Sequence, residues 1–138
     1  MKQKYLSAFM DMLDRFAQTS EAERLKVAAV LIKNDNPVCW GINGTRSGWH
    51  TNRCEDEDGK TTTATRHAEI ACLDKLRRMN ETSVGATLLT THACCLPCSV
   101  EVVEAGITKV IYKHDYRCDE GIKYLRENGV QVVKYEEV

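Results

Sequence analysis

A chain of 138 residues, 43% of them hydrophobic, can bury a real core and is expected to form a single domain over residues 1–138. A formal net charge of −1 and an aromatic content of 7% argue against a broad basic groove for stacking nucleic-acid bases. The stretch MKQKYLSAFMDMLDRFAQ is too polar for a signal peptide and no apolar run approaches membrane-spanning length, so the seven cysteines read as reduced thiols or metal ligands of a cytoplasmic protein.

Tyr5, Leu6, Phe9, Met10, Leu13, Phe16 and Ala17 recur at helical spacing and predict an amphipathic helix over 2–18. Val27–Ile32 is a β-branched run, Asn34-Asp35-Asn36-Pro37 is turn chemistry and Val38–Ile42 a second strand, so 25–43 reads as a hairpin. Residues 44–64 have no period and read as a long loop, with Glu55-Asp56-Glu57-Asp58 solvated. A helix over 66–79 turns Ile70, Leu73 and Leu76 inward. Strands at 87–91, 108–112 and 130–133 then alternate with helices at 95–104 and 119–127, which favours parallel pairing through right-handed crossovers. The expected fold is α/β, a three-layer α/β/α sandwich around a five-strand mixed sheet.

The chemistry concentrates in His67-Ala68-Glu69 and Cys95-Leu96-Pro97-Cys98. One imidazole and two thiols three residues apart make a three-ligand zinc set whose fourth position stays open to water. Glu69 adds a carboxylate able to move protons beside that water. Structural zinc sites usually close all four positions, so an open set with an acid points to chemistry. Both segments fall at helix starts, where free N–H groups favour thiolates, and Pro97 suits a first turn. The plainer readings are a helix-capping histidine, small buried thiols and a first-turn glutamate; the joint spacing is what argues for a metal. Three thiols compete for two roles. Cys95 and Cys98 keep the one-turn spacing, leaving Cys94 a buried neighbour. His50 and Cys54 in the loop are only two ligands and do not make a second site.

H-x-E followed by C-x-x-C resembles the zinc-dependent cytidine/deoxycytidylate deaminase superfamily, and most of all its deoxycytidylate (dCMP) deaminases of short phage type. The resemblance runs from about residue 22 to the C-terminus. It includes Val27-Ala28-Ala29-Val30 against V-G-A-V and Gly41-Ile42-Asn43-Gly44 against G-Y-N-G. It continues through His67-Ala68-Glu69, through Thr91 to Cys98 against T-x-x-P-C-x-x-C, and ends at Tyr116-Arg117; Cys94 stands where the family usually has proline.

The resemblance implies a cytidine deaminase-like fold and hydrolysis of dCMP to dUMP and ammonia. One catalytic Zn2+ per chain would be held by His67, Cys95 and Cys98, with Glu69 carrying protons to the cytosine ring and the leaving ammonia. It implies substrate contacts at Asn43, Ala68 and Tyr116, although Asn43 is also a good turn residue and Tyr116 an ordinary half-buried aromatic. Arg24, Lys26, Arg46 and Arg53 are cations flanking the turn, of which one or two would suffice for the 5′-phosphate. It further implies a homohexamer activated by dCTP and inhibited by dTTP, with Mg2+ accompanying the triphosphate. The effector would lie near Gly41, Ile42, Gly44, Thr45, Arg46 and Ser47, with Lys75, Arg77 and Arg78 as a cationic helix face. The expected location is cytoplasmic, the host cytoplasm for a viral chain, with neither nucleic acid nor membrane as partner. A free cytidine or deoxycytidine deaminase, a tRNA deaminase and a non-enzymatic zinc-stabilised module stay open; the last needs neither Glu69 nor an open position.

Overall fold

The computed structural model describes residues 1–138. In chain order the elements are α1 (Gln3–Ala17), β1 (Ala28–Lys33), β2 (Asn36–Ile42), α2 (Ala68–Arg77), β3 (Thr87–His92), α3 (Leu96–Glu104), β4 (Lys109–His114), α4 (Glu120–Glu127) and β5 (Gln131–Lys134). The strands form one sheet in the order β2-β1-β3-β4-β5. β1 runs antiparallel to β2 and β3, whereas β3, β4 and β5 are parallel. The expected element order and mixed five-strand sheet are therefore present, with a short 3-10 turn at Tyr135–Glu137 that periodicity did not announce.

Layering follows from the period of two in β1. Ala28, Val30 and Ile32 join Leu89 and Ile111 beneath Leu6, Met10, Leu13 and Ala17 of α1. Ala29 and Leu31 face the opposite way, toward α2, α3 and α4, in a core that includes Cys72, Leu76, Val102 and Leu125. Because strand order advances in one direction from β3 to β5, right-handed crossovers place α3 and α4 on the same face. One helix covers one side of the sheet and three cover the other. No helix is long and apolar enough to cross a membrane.

Two local readings change. The hairpin turn is not Asn34–Pro37 but the pair Asn34 (φ 49°) and Asp35 (φ 63°), both left-handed. Two residues with positive φ match the twist of the flanking strands, so β2 begins at Asn36. Pro37 is tolerated because β2 is an edge strand and the register shifts between Leu31 and Ile32, opposite it. The acidic run is also not uniformly solvated: Glu55 is 5% exposed, and its carboxylate accepts the backbone N–H of Glu23 at 3.0 Å.

Gly41 sets how closely β2 approaches α2. A Cβ there would lie 2.6 Å from the Ala68 carbonyl oxygen and closer still to the Cys72 nitrogen, so backbone meets backbone. This glycine is a packing residue, enclosed by α2, and not an accessible part of an effector surface. Gly41→Ala should lower unfolding stability by about 2–3 kcal/mol in urea titration. Gly44→Ala, where a Cβ meets nothing within 4 Å, should stay within about 0.5 kcal/mol of the parent.

Candidate active site

Two helix starts face each other across the carboxyl ends of the sheet. His67 is the extended residue before α2 (φ −69°, ψ 157°), and Cys95 plays the same part before α3 (φ −71°, ψ 168°). Pro97 sits in the first turn of α3, where its missing N–H breaks no helical bond. His67 Nδ1 lies 3.3 Å from Cys95 Sγ and 3.2 Å from Cys98 Sγ. All three donor atoms fall within 4.8 Å of one another. Ligands bound tetrahedrally at usual zinc–nitrogen and zinc–sulfur lengths would be roughly 3.5 Å apart, so this donor set fits one zinc ion.

Cys94 is 1% exposed, and burial pushes its thiol well above the ordinary range, as expected for a neighbour outside the ligand group. Hydrogen bonding from Cys98, reinforced by His67, holds the Cys95 thiol down at about 4 despite partial burial. Glu69, on the first turn of α2, is 4% exposed, and burial raises its carboxyl above the usual range. His50 lies against Trp49 in the loop with the rings tilted by 39°, whereas Cys54 is buried; the two join no metal-binding group.

The site opens into a cleft of about 760 Å³. Arg24, Asn43, His67, Ala68, Glu69, Cys95 and Tyr116 of the expected residues line it. Asn43 has a structural duty there: its Oδ1 accepts the Val27 N–H at 2.9 Å and its Nδ2 donates to the Leu25 carbonyl at 2.6 Å. One donor hydrogen and one lone pair of that amide remain free.

Several expected residues lie elsewhere. Lys26 is exposed and does not line the cleft, and neither do Arg46 and Arg53. Ile42 packs against the α1 side of the sheet. Gly44 bridges to Arg66, and the Thr45 hydroxyl donates to the Thr51 carbonyl at 2.9 Å. The Arg46 guanidinium lies 5.5 Å from the Trp49 ring centre and donates to the Ser47 carbonyl. On the proposed cationic face, Lys75 sits 3.6 Å over the Trp40 ring and Arg77 pairs with Asp74.

The cleft also contains residues to which the sequence assigned no site role, although Arg117 and His92 fall within the stretches that carry the resemblance: Glu55, Lys60, His92, His114, Asp115 and Arg117. The available signal was position. His92 and His114 end parallel strands, at the carboxyl edge where open α/β sheets place ligands. Lys60 and Glu55 carried no such signal, because only the return of the loop brings them in.

Residues 3–114 match the family described as the cytidine and deoxycytidylate deaminase zinc-binding region. The chain is 31% identical to the deoxycytidylate deaminase of Saccharomyces cerevisiae over 98% of its own length, but spans only 46% of that relative. It is 31% identical to the deoxycytidylate deaminase of Mycobacterium phage D29, covering 75% of this chain and 90% of the phage protein. The solved dCMP deaminase of cyanophage S-TIM5, in complex with dCMP and dUMP, superposes with a TM-score of 0.94 at 41% identity, covering 97% of this chain and 98% of that one. The chain belongs to the cytidine and deoxycytidylate deaminase family.

Metal analysis of two serine variants checks the ligand register. Cys95→Ser should abolish the bound zinc, about one ion per chain in the parent, and Cys94→Ser should retain it. Loss in Cys94→Ser alone would reverse the assignment.

Proposed function

We propose that this member of the cytidine and deoxycytidylate deaminase family hydrolyses dCMP to dUMP and ammonia, with residues 1–138 acting as one catalytic domain. The observation that carries the reading is the convergence of His67, Cys95 and Cys98 beside a buried carboxyl, Glu69, inside a cleft of nucleotide size. The likeness along nearly the whole chain to a dCMP deaminase solved with dCMP and dUMP supports the same substrate.

His67 through Nδ1, Cys95 and Cys98 would hold the zinc ion, and Glu69 would be the catalytic residue. When bound, zinc lowers the pKa of a water from 15.7 to about 7. Glu69 takes a proton from the attacking water and passes it to N3 of the cytosine ring, which makes C4 electrophilic; it then takes the second proton of that oxygen and gives it to the departing amino nitrogen. In the net reaction a C4–O bond to water forms, the C4–N bond breaks and ammonia leaves. Ala68 and Asn43 form the wall beside the base, and Tyr116 packs on the substrate. Arg24, with Lys60 and Arg117, supplies the cationic side of the cleft for the 5′-phosphate. Lys26 is left out of this role by its position.

Regulation is the second part of the proposal. dCTP would activate and dTTP inhibit a homohexamer, with Mg2+ accompanying the triphosphate. Thr45, Arg46 and Ser47 lie outside the catalytic cleft, which suits the separate site that allosteric coupling requires. Ile42 and Gly44 shape the turn beneath them. The phage relative supports a place in the host cytoplasm for a viral chain.

Glu69→Gln preserves shape and removes the proton carrier, so it should retain zinc and fold while losing turnover by ~10²-fold or more. The parent should deaminate dCMP far better than deoxycytidine; equal rates would remove the phosphate subsite. For regulation, dCMP turnover at sub-saturating substrate is measured with dCTP or dTTP plus Mg2+, alongside light-scattering mass. A monomer with hyperbolic kinetics and no response to either nucleotide would refute control while leaving catalysis intact.

A further inference from the structure

Thr91 and His92 end β3 where the sheet meets the cleft. The Thr91 hydroxyl oxygen accepts the Ala28 backbone N–H at 3.1 Å and lies 2.9 Å from His92 Nδ1. Thr91 is only 2% exposed, and that ring nitrogen is the one acceptor available to its hydroxyl proton. A proton on Nδ1 would leave the Thr91 O–H buried without a partner, which costs more than an ordinary hydrogen bond returns. The tautomer follows: Thr91 donates to Nδ1, and Nε2 carries the ring proton. Nε2 finds no partner within the protein and is not sealed from solvent.

Parallel pairing places His114 opposite His92 in register, with ring centres 5.1 Å apart. Burial, with that neighbour adding to it, holds the His92 ring below the ordinary imidazole range against a weaker pull from Asp14. The ring therefore presents a neutral N–H to the cleft.

We propose that His92 is a substrate-binding residue that donates its Nε2–H to an oxygen of the nucleotide, and that Thr91 is the positioning residue that sets its tautomer. The inference deepens, and rests on, the deaminase reading of the cleft. A neutral N–H suits this place, since it can orient an acceptor oxygen of a ligand in the cleft that His92 lines.

Long-range proton–nitrogen spectra of the imidazole rings read the tautomer without substrate, with His92→Gln providing the assignment. The parent should show His92 protonated on Nε2, and folded Thr91→Val should lose that fixed tautomer. Protonation on Nδ1 in the parent would overturn the proposal. In kinetics, His92→Ala should raise KM for dCMP about tenfold with kcat within about twofold of the parent. His92→Gln, whose amide N–H can stand near Nε2, should recover most of the loss. A penalty confined to dCMP identifies a phosphoryl oxygen, and an equal penalty on deoxycytidine a sugar or base oxygen; either supports the inference. Unchanged KM on both would sink it. A parent inert toward both substrates would instead refute the deaminase reading, and the His92 nitrogen shift on adding dCMP would then decide whether the ring binds it.

Discussion

Three donor atoms at the starts of two different helices must meet within one metal's reach, and most of the architecture serves that requirement. Each helix starts immediately after a ligand, so the position of a helix start is the position of a ligand. α2 is held against the sheet at Gly41, where a side chain would drive the helix away. α3 is held from the other side by α4. A Cβ at Gly121 would fall 2.8 Å from the Cys95 carbonyl carbon and 2.7 Å from the Ser99 hydroxyl, and nearer still to the Cys94 oxygen. Two glycines far apart in the chain thus allow the close backbone approach on which each ligand-bearing turn rests.

Electrostatics at this junction follow from the same placement. Free N–H groups at a helix start favour negative charge, which suits thiolates better than any apolar pocket would. Glu69 lies on the same first turn as His67 but is buried, so desolvation works against its charge and keeps a proton within reach of it. Cys95, hydrogen-bonded by Cys98 and His67, is thereby drawn toward its anion and Glu69 toward its protonated form, so neighbouring acids have opposite tendencies.

The cleft is then completed by segments with little regular structure. Asn43 ties residues 25–27 through both ends of its amide, and Glu55 ties residues 23 and 24 through its carboxylate. The bonds to Val27, Glu23 and Arg24 are half-buried, where a satisfied hydrogen bond also avoids the cost of an unmet donor, whereas the one to Leu25 is exposed. They hold Arg24 on the wall and allow a long loop to form a binding surface instead of a mobile flap. An asparagine expected to contact ligand is thereby first a fastener.

Periodicity and covalent spacing made much of this protein legible before any coordinates. The stripe of α1, the alternation of strand and helix after residue 86, the choice of Cys95 and Cys98 over Cys94, and the pairing of histidine with a carboxyl two residues on are all local patterns. Each depends on helix or strand geometry within one short segment, which the chain order itself encodes. The lining of the cleft does not. Lys60, His92, His114 and Arg117 enter it, and Lys26 stays outside, because sheet order and the return of a long loop decide which distant residues share a surface. Glu55 is buried against its charged composition for the same reason: backbone N–H groups more than thirty residues earlier needed an acceptor. Such neighbours are selected by long-range packing, and no period in the sequence records them.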